Sequence, residues 1–386
     1  MAGKIAKPHT ADSAAKPKPD LHRYMMIIAL AVIWIVFTAL TNGTYFTPRN
    51  LTNLFRQAVF TAILATGIIS VILLGYIDLS VASTAVLAGG VVGIMTTGGG
   101  LPLWLAIICA LACGVLVGLW NGFWIAYQNV PAFIATMASM LVVRAMLLGI
   151  TSGVTISPMP DALKVIGFDF LPAPIGYALA VIAAATALFF QWNDRKKKQA
   201  LGLPVKPVGQ EIARSVITVA IIAAFMAVMA QYRGIPNALI IIIVLSVVFL
   251  YIQNSTVFGR RIYAIGGNSK ACQLAGINIR RTTLAVYAIS GLLAAVAGIF
   301  LSARLNSASS TLADGAEMDA IAACVIGGTS MAGGIGTIGG AMIGAVVIQS
   351  IQTGMNVLNT PSFWQNIVKG LVLLVAVWFD ISRKKK

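Results

Sequence analysis

The side chains able to do chemistry in this chain are few, and their spacing keeps them apart. Both histidines, His9 and His22, precede the first apolar block, so neither imidazole catalysis nor a His-ligated metal is available in the body of the chain. The four cysteines, Cys109, Cys113, Cys272 and Cys324, form neither a disulfide framework nor a metal spacing and read as small apolar residues. A formal G-x-G-x-x-G at Gly334, Gly336 and Gly339 lies between apolar segments rather than after a strand, so it does not read as a dinucleotide loop. No G-x-x-x-x-G-K-[ST] is present, and Gly266-Gly267-Asn268-Ser269-Lys270 has the wrong spacing. Any ATP is therefore expected on another chain. Of the ionisable residues, only Arg144 and Lys369 fall within apolar blocks, while Asp78, Asp314, Glu317, Asp319 and Asp380 stand at block ends. Ion-coupled carriage, which calls for a carboxylate in mid-membrane, is disfavoured on that reading, as is an intramembrane enzyme.

The elements that must hold these residues are set by composition. Of 386 residues, 59% are hydrophobic and 10% charged, with a mean hydropathy of +0.90, which excludes a single soluble globule. The apolar residues come in blocks long enough to cross a bilayer, so the expected fold is all-α, a polytopic bundle of ten to twelve membrane helices. The blocks are Tyr24–Leu40, taken as a retained helix rather than a signal peptide, then 58–76, 81–97, 103–128, 132–150, 173–191, 215–232, 236–253, 282–303, a weak one at 316–331, 335–356 and 364–380. The expected organisation is a disordered tail at 1–23, a membrane domain at 24–380 and a basic tail at 381–386. The net charge of +16 lies mainly in both tails and in basic segments at 191–214 and 254–281. That is the positive-inside pattern; it places both segments and both termini in the cytoplasm and argues against nucleic-acid binding.

Asp78-Leu79-Ser80 and the small residues after it echo Asp319-Ala320 and theirs, in helices of opposite direction, as an inverted repeat would produce. The runs Gly89-x-x-x-Gly93 and Gly114-x-x-x-Gly118-x-x-x-Gly122 predict close helix approach. Asn121, Gln128, Asn129, Thr136 and Ser139 gather around Pro131, and Gln349, Gln352 and Asn356 form a near-helical stripe. Such groups either bond between helices or line a path for a neutral polar solute; Asn121, Asn129, Thr136, Ser139, Gln349 and Gln352 are the candidate path residues. Arg144 either snorkels to the outer face or serves the path or a docking surface, and for Lys369 snorkelling or helix pairing is expected. Between Thr256 and Arg281 a short helix with Ala271, Leu274 and Ala275 on one side is bracketed by Gly266-Gly267 and Gly276, which suits either docking in another protein's groove or a solvated loop.

That stretch strongly resembles the ribose/xylose/galactose branch of bacterial ABC-importer permeases. So do Gly75-Tyr-Ile-Asp-Leu-Ser80, Trp120-Asn-Gly-Phe-Trp-Ile-Ala-Tyr127, Val130-Pro-Ala-Phe-Ile-Ala-Thr136 and Glu317-Met-Asp-Ala-Ile-Ala-Ala-Cys-Val-Ile-Gly-Gly-Thr-Ser330. The Phe258–Asn268 run and the added helices at 191–253 are most similar to its xylose-transport members; Ala82-Ser83 stands where such permeases typically have Gly-Ser. The resemblance implies a type II importer permease of the inner membrane, a non-enzyme paired with itself or a partner, fed by a periplasmic sugar-binding protein. It implies import of a monosaccharide, D-xylose first, with several monosaccharides as the alternative. ATP and Mg would sit on two cytoplasmic ATPase subunits and no cofactor on this chain. The same resemblance makes the region holding Gly259, Arg260, Arg261, Tyr263, Gly266, Asn268, Ala271, Leu274, Gly276 and Ile277 the coupling site.

Overall fold

The computed structural model describes residues 21–205 and 207–384. Of the tail expected at 1–23, residues 1–20 lie outside the described residues, and 21–23 already belong to the first helix. The helices in order are α1 (Leu21–Leu40), α2 (Pro48–Leu73), α3 (Val81–Gly93, continued by a π turn at Ile94–Gly98), α4 (Leu103–Ala126), α5 (Ala132–Thr151), α6 (Asp161–Gly167), α7 (Ala173–Ala200), α8 (Val208–Ala230) and α9 (Ala238–Ser255). They continue with α10 (Val257–Gly267), α11 (Ser269–Leu274), α12 (Ile279–Leu305), α13 (Ala316–Ile326), α14 (Ile338–Val357) and α15 (Ser362–Lys384).

Among the described residues, 10 helices are long and apolar enough to cross a membrane, and the apolar part of α1, Met26–Leu40, is shorter. The weak block at 316–331 is a half-helix: the 11 residues of α13 rise about 16 Å, half of a bilayer core of about 30 Å. Residues 327–337 follow it as irregular backbone that meets Tyr263 and Gly266 of α10. Sequence hydropathy starts the second block at 58, whereas α2 starts at Pro48, because Arg49, Asn50, Asn53, Arg56 and Gln57 dilute a turn in which Leu51 and Leu54 are buried. The basic segment at 191–214 is mostly helix rather than loop. Its Lys and Gln are good helix formers, Lys198 reaches Asp194 at 2.7 Å, and α7 therefore runs on to Ala200.

At the centre α12 packs against α2, α3 and α4. The predicted Gly stripe of α4 is what admits it: a Cβ at Gly114 would meet the Gly291 carbonyl, one at Gly118 the Tyr287 carbonyl and one at Gly122 Leu284. Gly298 on α12 returns the contact against Ala85 of α3 and Gly89 faces Ser302, so α3 runs parallel to α12. Gly344 faces Ala323 and Gly340 faces Gly327, so α13 runs antiparallel to α14. Measured from the end of the bundle that carries α10 and α11, α3 runs away and α13 runs back, the opposed directions that the echo around Asp78 and Asp319 requires.

Candidate functional site: a polar chain in the bundle and a two-helix platform at its end

The 74–80 segment leaves the α10 end after Leu73 and turns back into the bundle, carrying Asp78 to 2% exposure. There Asp78 Oδ1 accepts from the Ser80 amide at 3.0 Å and the Ser80 hydroxyl at 2.7 Å, while Oδ2 accepts from the Ser290 hydroxyl at 3.0 Å. Ser290 is eleven residues along α12, about 16 Å from its start. This corrects the sequence reading of Asp78 as a block-end acid: hydropathy sees a break between two apolar blocks but not that the break folds inward. From Ser80 the chain of bonds continues outward, Asn121 Nδ2 donating to Ser80 Oγ at 2.8 Å and Ser139 Oγ donating to Asn121 Oδ1 at 2.5 Å. One carboxylate thus ties α3, α4, α5 and α12 together, its charge answered by hydroxyl and amide donors.

Of the six candidate path residues, Asn121 and Ser139 are in this chain. Thr136 lies beside it, donating to Ala132 O at 2.8 Å and standing 3.4 Å from Ile77 O. Asn129 is not brought in; it is exposed at the α4–α5 turn with φ 56°. Gln349 and Gln352 belong elsewhere. Gln349 donates to Gln57 Oε1 at 2.7 Å, and Gln352 donates to Asp319 Oδ2 at 2.7 Å, an oxygen that Lys369 also reaches at 3.1 Å. Lys369 thus takes the expected helix pairing, while Arg144 pairs with Asp314. Sequence reasoning missed Ser80, Ser290 and Gln57 as partners; the signal available was Asp78 two residues before Ser80, the spacing of an Asx turn.

At the other site α10 and α11 form a corner. Thr256 accepts from the Gly259 amide at 3.1 Å, Asn268 from the Ala271 amide at 3.0 Å and Asn278 from the Arg281 amide at 3.0 Å, so three successive helices start on side-chain caps. Gly259, Ile262, Ile265 and Cys272 point inward; Arg260, Arg261, Asn268, Ala271 and Leu274 are exposed, Leu274 to 91%. Gly276 takes φ 78° beyond α11, with Ile277 half-buried after it. Tyr263 donates to Gly336 O at 2.7 Å, and burial pushes its phenol above the ordinary value. Gly266 lies so close to Leu73 O and Gly334 that no side chain would fit, and the Gly334 amide donates to Leu73 O at 2.9 Å. The short helix expected between Gly266-Gly267 and Gly276 is α11, and a further helix, α10, precedes it and ends where Asn268, at φ −158°, leaves the helix to cap the next one. The 6-residue α11 presents an apolar tip, Leu274, to the outside.

Among the described residues no group of three His, Cys, Asp or Glu could hold a metal ion. A family model described as branched-chain amino acid transport system / permease component matches residues 50–377. The xylose transport system permease protein XylH of Escherichia coli (strain K12) is 44% identical over 383 residues, covering 99% of this chain and 98% of the relative. XylH of Haemophilus influenzae is 43% identical over 367 residues, 95% and 98% of the two chains, and the ribose import permease protein RbsC of Escherichia coli (strain K12) is 35% identical over 358 residues, 93% of each. No solved structure matches the chain. The matched span runs from the first turn of α2 into α15 and takes in the Asp78 chain and the α10–α11 corner, and relatives aligned along almost their whole length are transport permeases: the chain belongs to the family of branched-chain amino acid transport system permease components.

Proposed function

We propose that this chain is the membrane subunit of an ATP-driven importer that carries a monosaccharide, D-xylose first, into the cell. It is a multi-pass protein of the bacterial inner membrane with both termini cytoplasmic, and it works as a homodimer. The observation that carries the reading is the α10–α11 corner: α11 is a short helix with an exposed leucine at its tip, and α10, which carries it, is fastened at Gly266 by backbone contacts to the end of α2 and to the 327–337 segment. An exposed apolar tip on a rigid mount suits insertion into a groove of another protein. That protein is a cytoplasmic ATPase, with ATP and Mg held there and no cofactor on this chain. Closure of two such ATPases moves the α10–α11 corners, and the attached helices rock to give alternating access. A periplasmic sugar-binding protein delivers the sugar. The XylH relatives support xylose; the ribose permease at 35% identity favours, as the second reading, a system for several monosaccharides.

The test is co-purification from native membrane with mass spectrometry of partners, followed by ATPase and uptake assays with binding protein loaded with xylose, ribose, galactose or arabinose. An ATPase recovered with the chain, whose turnover rises with xylose-loaded binding protein above the others, is the expected result. A chain that comes out alone and moves sugar under an ion gradient overturns the proposal, and buried Asp78 would then be the group to examine as ion site.

A further inference from the structure

Away from the α10 end, the bundle holds charges that the coupling mechanism leaves unused. Two cations, Arg144 of α5 and Lys369 of α15, stand with three carboxylates, Asp314, Glu317 and Asp319. Asp314 takes Arg144 and Asp319 takes Lys369, so Glu317 is the carboxylate left over. It is 8% exposed, its Oε2 has no hydrogen-bond partner among the described residues, and it feels the charges of Arg144, Asp319 and Lys369. The Nε of Arg144 is likewise buried without an acceptor. One cluster therefore contains a buried charged acceptor lacking a donor and a buried charged donor lacking an acceptor, each of which costs free energy in this state. The arginine and lysine side chains are 29% and 26% exposed and Met318 beside them is exposed, on a face that hydrocarbon would penalise. Such a face borders water.

Resting on the importer reading, we infer that this strip lines the sugar's passage and that Glu317 and Arg144 select the sugar within it. A sugar hydroxyl donates to Glu317 Oε2 and accepts from Arg144 Nε–H, the two valences that the protein leaves open. Charge-assisted bonds of this kind distinguish a solute that carries the hydroxyl from one that lacks it, because the analogue leaves both groups unpaired. Asp314 and Asp319 keep the two cations in place, which positions Glu317 as the free acceptor. The passage opens between α5 and α13 as the helices rock, exposing both groups together.

The test uses the complete importer in proteoliposomes, with its ATPase and binding protein, and measures uptake of D-xylose and of each monodeoxy analogue. Every rate is divided by the wild-type rate for the same sugar, so that the binding protein's own selectivity cancels. Glu317→Ala is expected to cut xylose uptake roughly tenfold while leaving the analogue that lacks the recognised hydroxyl near its wild-type rate; Arg144→Lys is expected to spare the same analogue. Glu317→Gln serves if the alanine variant fails to insert, with the same expected pattern at smaller amplitude. An equal fall for all sugars, or no fall, overturns the assignment and leaves the importer reading intact. A wild-type assembly that moves no sugar overturns both.

Discussion

Asn121, on α4, is bonded on both sides of its amide: Nδ2 gives a hydrogen to Ser80 at 2.8 Å and Oδ1 receives one from Ser139 at 2.5 Å. It is 1% exposed, out of reach of bulk solvent. Replacement by leucine, close in size, leaves Ser80 and Ser139 each one bond short. The expected loss is about 1–3 kcal/mol of stability, read as a lower midpoint for thermal unfolding in detergent, with insertion unaffected.

Asp78→Asn tests the same chain from its charged end. An amide keeps the shape but turns one acceptor atom into a donor that faces Ser80 or Ser290, both already donating to the carboxylate. Folding is expected to weaken by about 2 kcal/mol, and Ser290→Ala in the wild-type background by less. A variant as stable as the parent would show that the charge on Asp78 adds nothing to folding.

Lys369 and Asp319 form a pair at 3.1 Å whose side chains are 26% and 10% exposed. Lys369→Met leaves Asp319 with Gln352 alone and is expected to cost about 1–3 kcal/mol. The double variant Lys369→Met with Asp319→Asn should recover most of that loss, and a double-mutant cycle on unfolding midpoints measures the coupling. Additive losses would mean that the two charges do not answer each other.

For the α10–α11 corner, where coupling is proposed, Ala271→Asp places a charge on the exposed face of α11, and Gly276→Val forces a β-branched residue to φ 78°. Both are expected to abolish sugar uptake with expression and membrane insertion intact, checked by uptake assay beside quantitative blotting of membranes. Normal uptake in both variants would move the coupling site elsewhere.

Gly118 faces the Tyr287 carbonyl without room for a Cβ. Gly118→Leu is expected to prevent α4 from seating on α12 and to yield protein that is degraded or aggregates on detergent extraction, whereas Gly209→Ala, with open space around it, should be silent.

The helices were legible because twelve apolar blocks leave the backbone no alternative in a bilayer, and each block has a helix within it. What hydropathy misplaced has a common cause: it averages over windows. Arg49 to Gln57 lowered the average over a buried turn and hid the start of α2; the Gly-rich run after Ile326 stayed apolar enough to read as helix although it is irregular backbone. The candidate path residues were found by residue type, which identifies Asn121, Ser139 and Gln352 as polar groups in need of partners but cannot say which partner each meets. Asn129 shows the limit: the same residue type eight positions from Asn121 sits in a left-handed turn where its side chain faces outward. Glu317 and Asp319 are two residues apart, yet one is paired and the other is not, a difference set by where α15 happens to lie.

The joint between Gly266, Leu73 and Gly334 is made of main chain alone. A contact through side chains can absorb a push by changing rotamer, with little cost and some delay. Peptide planes in direct contact have no such slack, so the end of α10 bears directly on the end of α2 and on the α13–α14 linker. The corner is built like a crank: its stiffness comes from two glycines and a carbonyl meeting without side chains between them, and in the proposed coupling the surface residues of α11 can change to suit a partner without softening that joint.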